Sequence, residues 1–114
     1  MRLLPALAFG MLMLPLAVYA NDPNSYAQPD QVRVTHLDLD LRIDFPHKQL
    51  DGLATLKLDW KNPQAQSLVL DTRDLNIAKV EALGADGKTT PLKYALAPRD
   101  KQLGSKLTIA TPKR

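Results

Sequence analysis

The 114-residue sequence predicts an all-β chain of antiparallel strands. Three observations carry that prediction. In the two longest patterned runs apolar and polar residues alternate with a period of two, which gives a strand one wet and one dry face. Proline, glycine, asparagine and aspartate fall between the runs at short intervals, where turns are needed. The one segment after residue 20 with a helical apolar spacing, 75–83, lies between strand-like runs and ends at Gly84.

The first element is a leader. Met1-Arg2 supplies a positive start, Leu3 to Leu16 is uncharged and apolar, and Ala17-Val18-Tyr19-Ala20 ends in the small-residue pattern that a signal peptidase reads. Residues 1–20 therefore read as a helical signal peptide cleaved after Ala20. Pro5, Gly10 and Pro15 interrupt the run and no basic cluster follows it, which argues against a retained membrane anchor. The expected location is outside the cytoplasm, periplasmic or secreted.

Residues 21–31 are polar, hold Pro23 and Pro29, and read as an extended N-terminal arm. A β domain is expected over 32–114. It opens with strict alternation: Leu37, Leu39, Leu41, Ile43 and Phe45 on one face, His36, Asp38, Asp40, Arg42 and Asp44 on the other. Val32 and Val34 have the opposite parity, which predicts a bulge near Thr35. Leu50, Gly52, Ala54, Leu56, Leu58 and Trp60 form the dry row of the next strand. Joining the two through a Pro46–Gln49 loop sets Phe45 opposite Leu50 and Leu37 opposite Leu58. On the wet face that register sets Asp38 against Lys57, His36 against Asp59 and, unfavourably, Asp44 against Asp51. Phe45 and Trp60 are expected in the core.

Lys61-Asn62-Pro63-Gln64 reads as a turn, Leu68-Val69-Leu70 as a short strand, and Asp71-Thr72-Arg73-Asp74 as a polar corner. Leu75 to Leu83 is read as a strand, closed by a hairpin turn at Ala85-Asp86-Gly87-Lys88. Leu92, Tyr94 and Leu96 alternate, as do Leu107 and Ile109, bringing the total to six or so strands.

Composition excludes much chemistry. There is no cysteine, hence no disulfide, thiolate zinc site or cysteine nucleophile. The 15 Lys and Arg stand singly apart from Lys113-Arg114, without the basic stripe and interleaved aromatics that nucleic acid requires. His36, Asp38 and Asp40 form H-x-D-x-D, but side chains two apart on a strand are about 7 Å from each other along its axis, so the three read as a solvated, ion-paired face. His47 reads as a surface loop residue. No histidine is placed as a base for a serine, and no glycine-rich phosphate loop occurs. Catalytic, cofactor-binding and metal-binding residues are all expected to be none.

A resemblance supplies what these residues alone do not. Asp22-Pro23-Asn24-Ser25-Tyr26-Ala27, then Thr35 to Leu41, Leu50-Asp51-Gly52 and above all Leu68-Val69-Leu70-Asp71-Thr72-Arg73-Asp74-Leu75-Asn76-Ile77 resemble the start of a zinc aminopeptidase of the M1 family, nearest its leukotriene hydrolase-like branch. The resemblance implies an incomplete portion of that family's saddle-like N-terminal β domain, which packs on a catalytic domain and helps wall the substrate cavity. The family's zinc lies in an H-E-x-x-H motif with a downstream glutamate, and G-x-M-E-N binds the substrate amino terminus. None of these motifs occurs here, and Glu81 is the sole glutamate. The expectation is a chain inactive by itself and without a cofactor of its own, zinc belonging to the full-length family. Its partner would be the missing catalytic domain of the same polypeptide. Peptide substrates would be met only in the full-length enzyme, and neither nucleic acid nor a lasting membrane anchor is expected. The alternative is a free-standing exported β module that binds through a sheet edge.

Overall fold

The computed structural model describes residues 22–111; residues 1–20, for which a leader is expected, lie outside them. Among the described residues every regular element is a strand. These are β1 (Val32–Asp44), β2 (Gln49–Trp60), β3 (Ser67–Thr72), β4 (Glu81–Leu83), β5 (Thr89–Pro91), β6 (Tyr94–Leu96) and β7 (Ser105–Ala110). They form a two-stranded sheet β1–β2, a three-stranded sheet in the order β3–β7–β6, and a two-stranded sheet β4–β5, with every pairing antiparallel.

The first hairpin forms where the alternation predicts it, and its bulge falls at Thr35, between the pairs Val34–Leu58 and His36–Lys57. The bulge has a clear effect: it reverses the parity of the strand, so Val32 and Val34 join the dry row of Leu37 to Ile43. The expected register is corrected by two residues. Ile43 pairs with Leu50, Leu41 with Gly52, Leu39 with Ala54 and Leu37 with Leu56. A shift of two preserves the faces, whereas a shift of one would invert them. The physical reason lies in the loop, which is Phe45–Lys48. Asp44 accepts a hydrogen bond from the His47 amide at 3.2 Å and contacts its Nδ1 at 2.8 Å, while Lys48 takes the left-handed conformation (φ 51°) that closes the turn. The shift also removes the Asp44–Asp51 conflict. Asp44 now faces Gln49, and Asp51 faces Arg42, with a 3.2 Å ion pair between them.

The core lies where the base of this hairpin meets the three-stranded sheet. Val32, Leu68, Leu107 and Ile109 are buried, and Leu58, Trp60, Ala65, Leu70, Ile77, Val80 and Leu92 pack around them. Trp60 is thus in the core region as expected. Phe45 is not: it stands 80% exposed at the hairpin tip, where no second layer reaches it.

The expected strand over Leu75–Leu83 is shortened to Glu81–Leu83. Residues 75–80 run without a neighbouring strand. Their carbonyls are met singly: Ile77 accepts from the Tyr94 hydroxyl at 3.1 Å, and Val80 accepts from the Leu92 amide at 2.9 Å. Ile77 and Val80 still face the core, so the apolar spacing reports their burial without a ladder. The turn at 84–88 forms as read, closed by Gly84 N–H to Lys88 O at 2.8 Å and by Gly87 at φ 80°.

Candidate functional site

The corner Asp71–Asp74 gathers a polar contact at each of its four side chains, and it follows directly from how β3 ends. Thr72 is the last residue of β3 and pairs with Ser105, the first of β7. Both are buried, and the Thr72 hydroxyl donates to the Ser105 carbonyl at 2.7 Å; among the described residues no buried polar side-chain atom is left unsatisfied. Beyond Thr72 the chain turns through Asp74, a non-glycine residue at φ 53°, a conformation that aspartate tolerates better than most. Gly104 faces this turn at φ 76°. A Cβ there would lie 2.2 Å from the Thr72 carbonyl oxygen, so only glycine permits the approach.

Each of the four corner side chains holds a different piece of chain. Asp71 takes the N-terminal arm: its carboxylate accepts from the Tyr26 amide at 2.7 Å and from the Ser25 hydroxyl. Thr72 holds the start of β7. The Arg73 guanidinium donates to the Gln102 carbonyl at 2.6 Å. Asp74 pairs with Arg99 at 2.7 Å. The 100–104 turn that Arg73 clasps is itself closed by Asp100, whose carboxylate accepts from the Gln102 and Leu103 amides, both at 2.8 Å. Those two backbone donors, with that of Leu103 the stronger, hold the Asp100 carboxyl below its ordinary range.

The corner is a clasp. Ser25 meets a carboxylate with no imidazole between them, so it lacks the base that a nucleophilic serine requires. Both histidines lie elsewhere, on the long hairpin. His36 Nε2 contacts Asp38 Oδ1 at 3.0 Å along its own strand, with Lys57 as its cross-strand neighbour. The expected His36–Asp59 pairing is replaced, because in the observed register Asp59 faces Arg33 and its carboxylate binds Lys61 at 2.6 Å. Asp38 likewise faces Thr55, not Lys57. His47 is at the opposite end of the hairpin, beside Asp44.

Zinc does not fit these residues. The two histidines are at opposite ends of a hairpin, and Glu81 is engaged by Lys79 at 2.9 Å, which holds its carboxyl below the ordinary value. Among the described residues no three His, Cys, Asp or Glu side chains gather as a metal ion would need. A shallow polar hollow of about 410 Å³ lies along the arm between Asp22 and Gln31, with Ser25, Tyr26 and Asp30 in its lining.

Local sequence pattern does not reveal the arm–corner junction, since Ser25 and Asp71 are 46 positions apart. A signal was nevertheless present: the stretches Asp22–Ala27 and Leu68–Ile77, which carry the family resemblance, are the two that meet here.

Comparison with known proteins agrees with that reading. No protein-family model matches the chain. It is similar to leukotriene A-4 hydrolase of Xenopus laevis, 32% identical over 91 residues, covering 80% of this chain and 14% of that protein. It is also similar to leucine aminopeptidase 2 of Ajellomyces capsulatus (strain NAm1 / WU24), 35% identical over 89 residues, covering 77% of this chain and again 14% of the relative. The chain therefore spans about one seventh of the length of these curated relatives. Over 77–80% of its own length it is a partial homologue of leukotriene A-4 hydrolase and a leucine aminopeptidase, in line with the M1-family resemblance of its Leu68–Ile77 run.

Proposed function

We propose that this chain is the N-terminal structural portion of an exported M1-type zinc aminopeptidase, an enzyme that removes N-terminal residues from peptides. The observation that carries the reading is the clasp at Asp71–Asp74. Four consecutive polar side chains of the most family-specific stretch, Asp71 to Asp74, hold the arm, β7 and the 99–104 turn together. Similarity to an aminopeptidase and a leukotriene hydrolase supports the same assignment. In this reading the sheets form part of a saddle-like domain beside a catalytic domain of the same polypeptide. Zinc, its ligands and the substrate site belong to that domain. The leader of residues 1–20 supports export to the periplasm or the outside, and the mature chain would begin at Asn21.

Two experiments test this. Purified chain supplied with zinc is expected to hydrolyse no aminoacyl reporter above buffer, and zinc-dependent turnover would refute the structural role. Reading the coding frame past Arg114 is expected to reveal H-E-x-x-H, whereas a stop codon there would favour a free-standing binding module. One observation supports that second reading: β3 and β6 are each paired on one side only, leaving edges that an extended peptide could join.

A further inference from the structure

The arm carries two residues that the proposed function does not use, Pro23 and Pro29. Each follows a carbonyl that is turned back on the chain. The Asp22 carbonyl accepts from the Ser25 amide at 3.2 Å, and the Asp22 carboxylate accepts from the Asn24 amide at 2.8 Å. The Gln28 carbonyl accepts from the amides of Gln31 and Val32, at 3.0 and 3.1 Å. Between these turns the arm is tied to β3. The Tyr26 amide donates to Asp71 at 2.7 Å, and the Ser25 hydroxyl donates to the same carboxylate. That hydroxyl oxygen in turn accepts from the Ala27 amide at 3.0 Å.

Chain ends are where proteolysis concentrates, and the hydrogen bonding of the local backbone decides whether it proceeds. An aminopeptidase adds water across the first peptide bond, releases one amino acid and begins again on the shortened chain. For this the terminal residues must lie extended in the enzyme, with their backbone groups free to pair with it. Proline meets neither condition. Its nitrogen carries no hydrogen and its φ is fixed near about −65°, so the Asp22–Pro23 bond is a poor substrate in any fold. The bonds around Ser25 and Tyr26 resist for a different reason. Their backbone must first leave the Asp71 carboxylate before it can be drawn out straight.

We propose that the arm is a two-stage stop against exopeptidases. Pro23 halts trimming at Asp22, and the Asp71 clasp halts, before Tyr26 is lost, any trimming that passes Pro23. A chain starting at Asn21 then loses one residue at most, and the junction between arm and corner survives. The inference rests on the proposed export, which sets that start. An exported aminopeptidase is itself a peptide chain within reach of its neighbouring copies, which is the setting in which such a stop acts.

The test exports the chain from its own leader and reads its start by intact mass, where Asn21 is expected. Wild type, Pro23→Ala and Pro23→Ala/Asp71→Ala are then incubated with a broad-specificity zinc aminopeptidase, beside free peptides of residues 21–31 with and without Pro23→Ala. Trp60 emission reports that the variants keep the fold. Wild type is expected to lose Asn21 at most, both in the chain and in the free peptide. The Pro23→Ala peptide should be degraded to Gln28, whereas the folded Pro23→Ala chain should be trimmed past position 23 and keep Tyr26. The double variant should lose Tyr26 about tenfold faster, because cleavage follows the population of released arm. The folded Pro23→Ala chain against its free peptide judges the clasp even without the double variant. Wild type trimmed past Pro23 overturns the inference while the proposed function stands. So does a Pro23→Ala chain trimmed no further than wild type, or one that loses Tyr26 as fast as the peptide. A double variant that keeps Tyr26 as well as Pro23→Ala does overturns the second stage. A start other than Asn21 refutes the proposed processing and takes the inference with it.

Discussion

The long hairpin has the stricter alternation and twice the strand length, yet most of its apolar row is open, whereas β7 buries Ser105, Leu107 and Ile109 in succession. β7 lies between β3 and β6 and has the base of the hairpin against one face. In the outer hairpin each strand pairs only with the other, and among the described residues its apolar row stays exposed. Alternation thus says that a strand has a dry side, and only a second layer makes that side dry. The same hydrophobic content contributes stability in one region and a contact surface in the other.

Substitutions can sharpen or break this contrast. The largest effect is expected from Leu107→Ala, which opens a cavity at the centre of the buried cluster and should cost about 2–5 kcal/mol. Urea unfolding would read it, and a loss no larger than that of Leu39→Ala would remove the distinction between the regions. Thr72→Val deletes the buried hydroxyl bonded to the Ser105 carbonyl and should cost about 1–3 kcal/mol. Asp71→Ala should release the arm from the corner at about 1 kcal/mol, less because the junction is exposed. Limited proteolysis between Asp22 and Gln31 is the readout, and unchanged cleavage would show that the arm is held by other means.

A pH measurement probes the clasped turn. The folded Asp100 carboxyl is held below its ordinary value of about 3.9, so its contribution is present above that value and lost as pH falls through the lowered one. Protection of the Gln102 and Leu103 amides from exchange, taken relative to the unstructured rate at the same pH, should therefore fall as pH drops below about 4 in the wild type, and Asp100→Asn should flatten that dependence. The smallest effect belongs to the outer hairpin. Leu39→Ala in the 114-residue chain should change stability by less than about 0.5 kcal/mol, since the side chain is 59% exposed. A loss of 2 kcal/mol or more there would mean that the face is covered in the chain alone.

The sequence by itself determined the strands and their faces, because period-two alternation, a parity change at Thr35 and turn residues at 84–88 are local statements about backbone geometry. It also carried the family resemblance, through residues whose role is to tie the arm to the corner. Tertiary structure decided the rest. The hairpin register moved by two because Asp44 closes the loop and Arg42 finds Asp51, pairings that alternation weighs equally with their neighbours. Residues 75–80 lost their strand because no partner lies beside them, although Ile77 and Val80 kept their burial. Phe45 and the row behind it stayed in solvent, since burial depends on which layer lies opposite, and one strand's pattern contains no information about another's length.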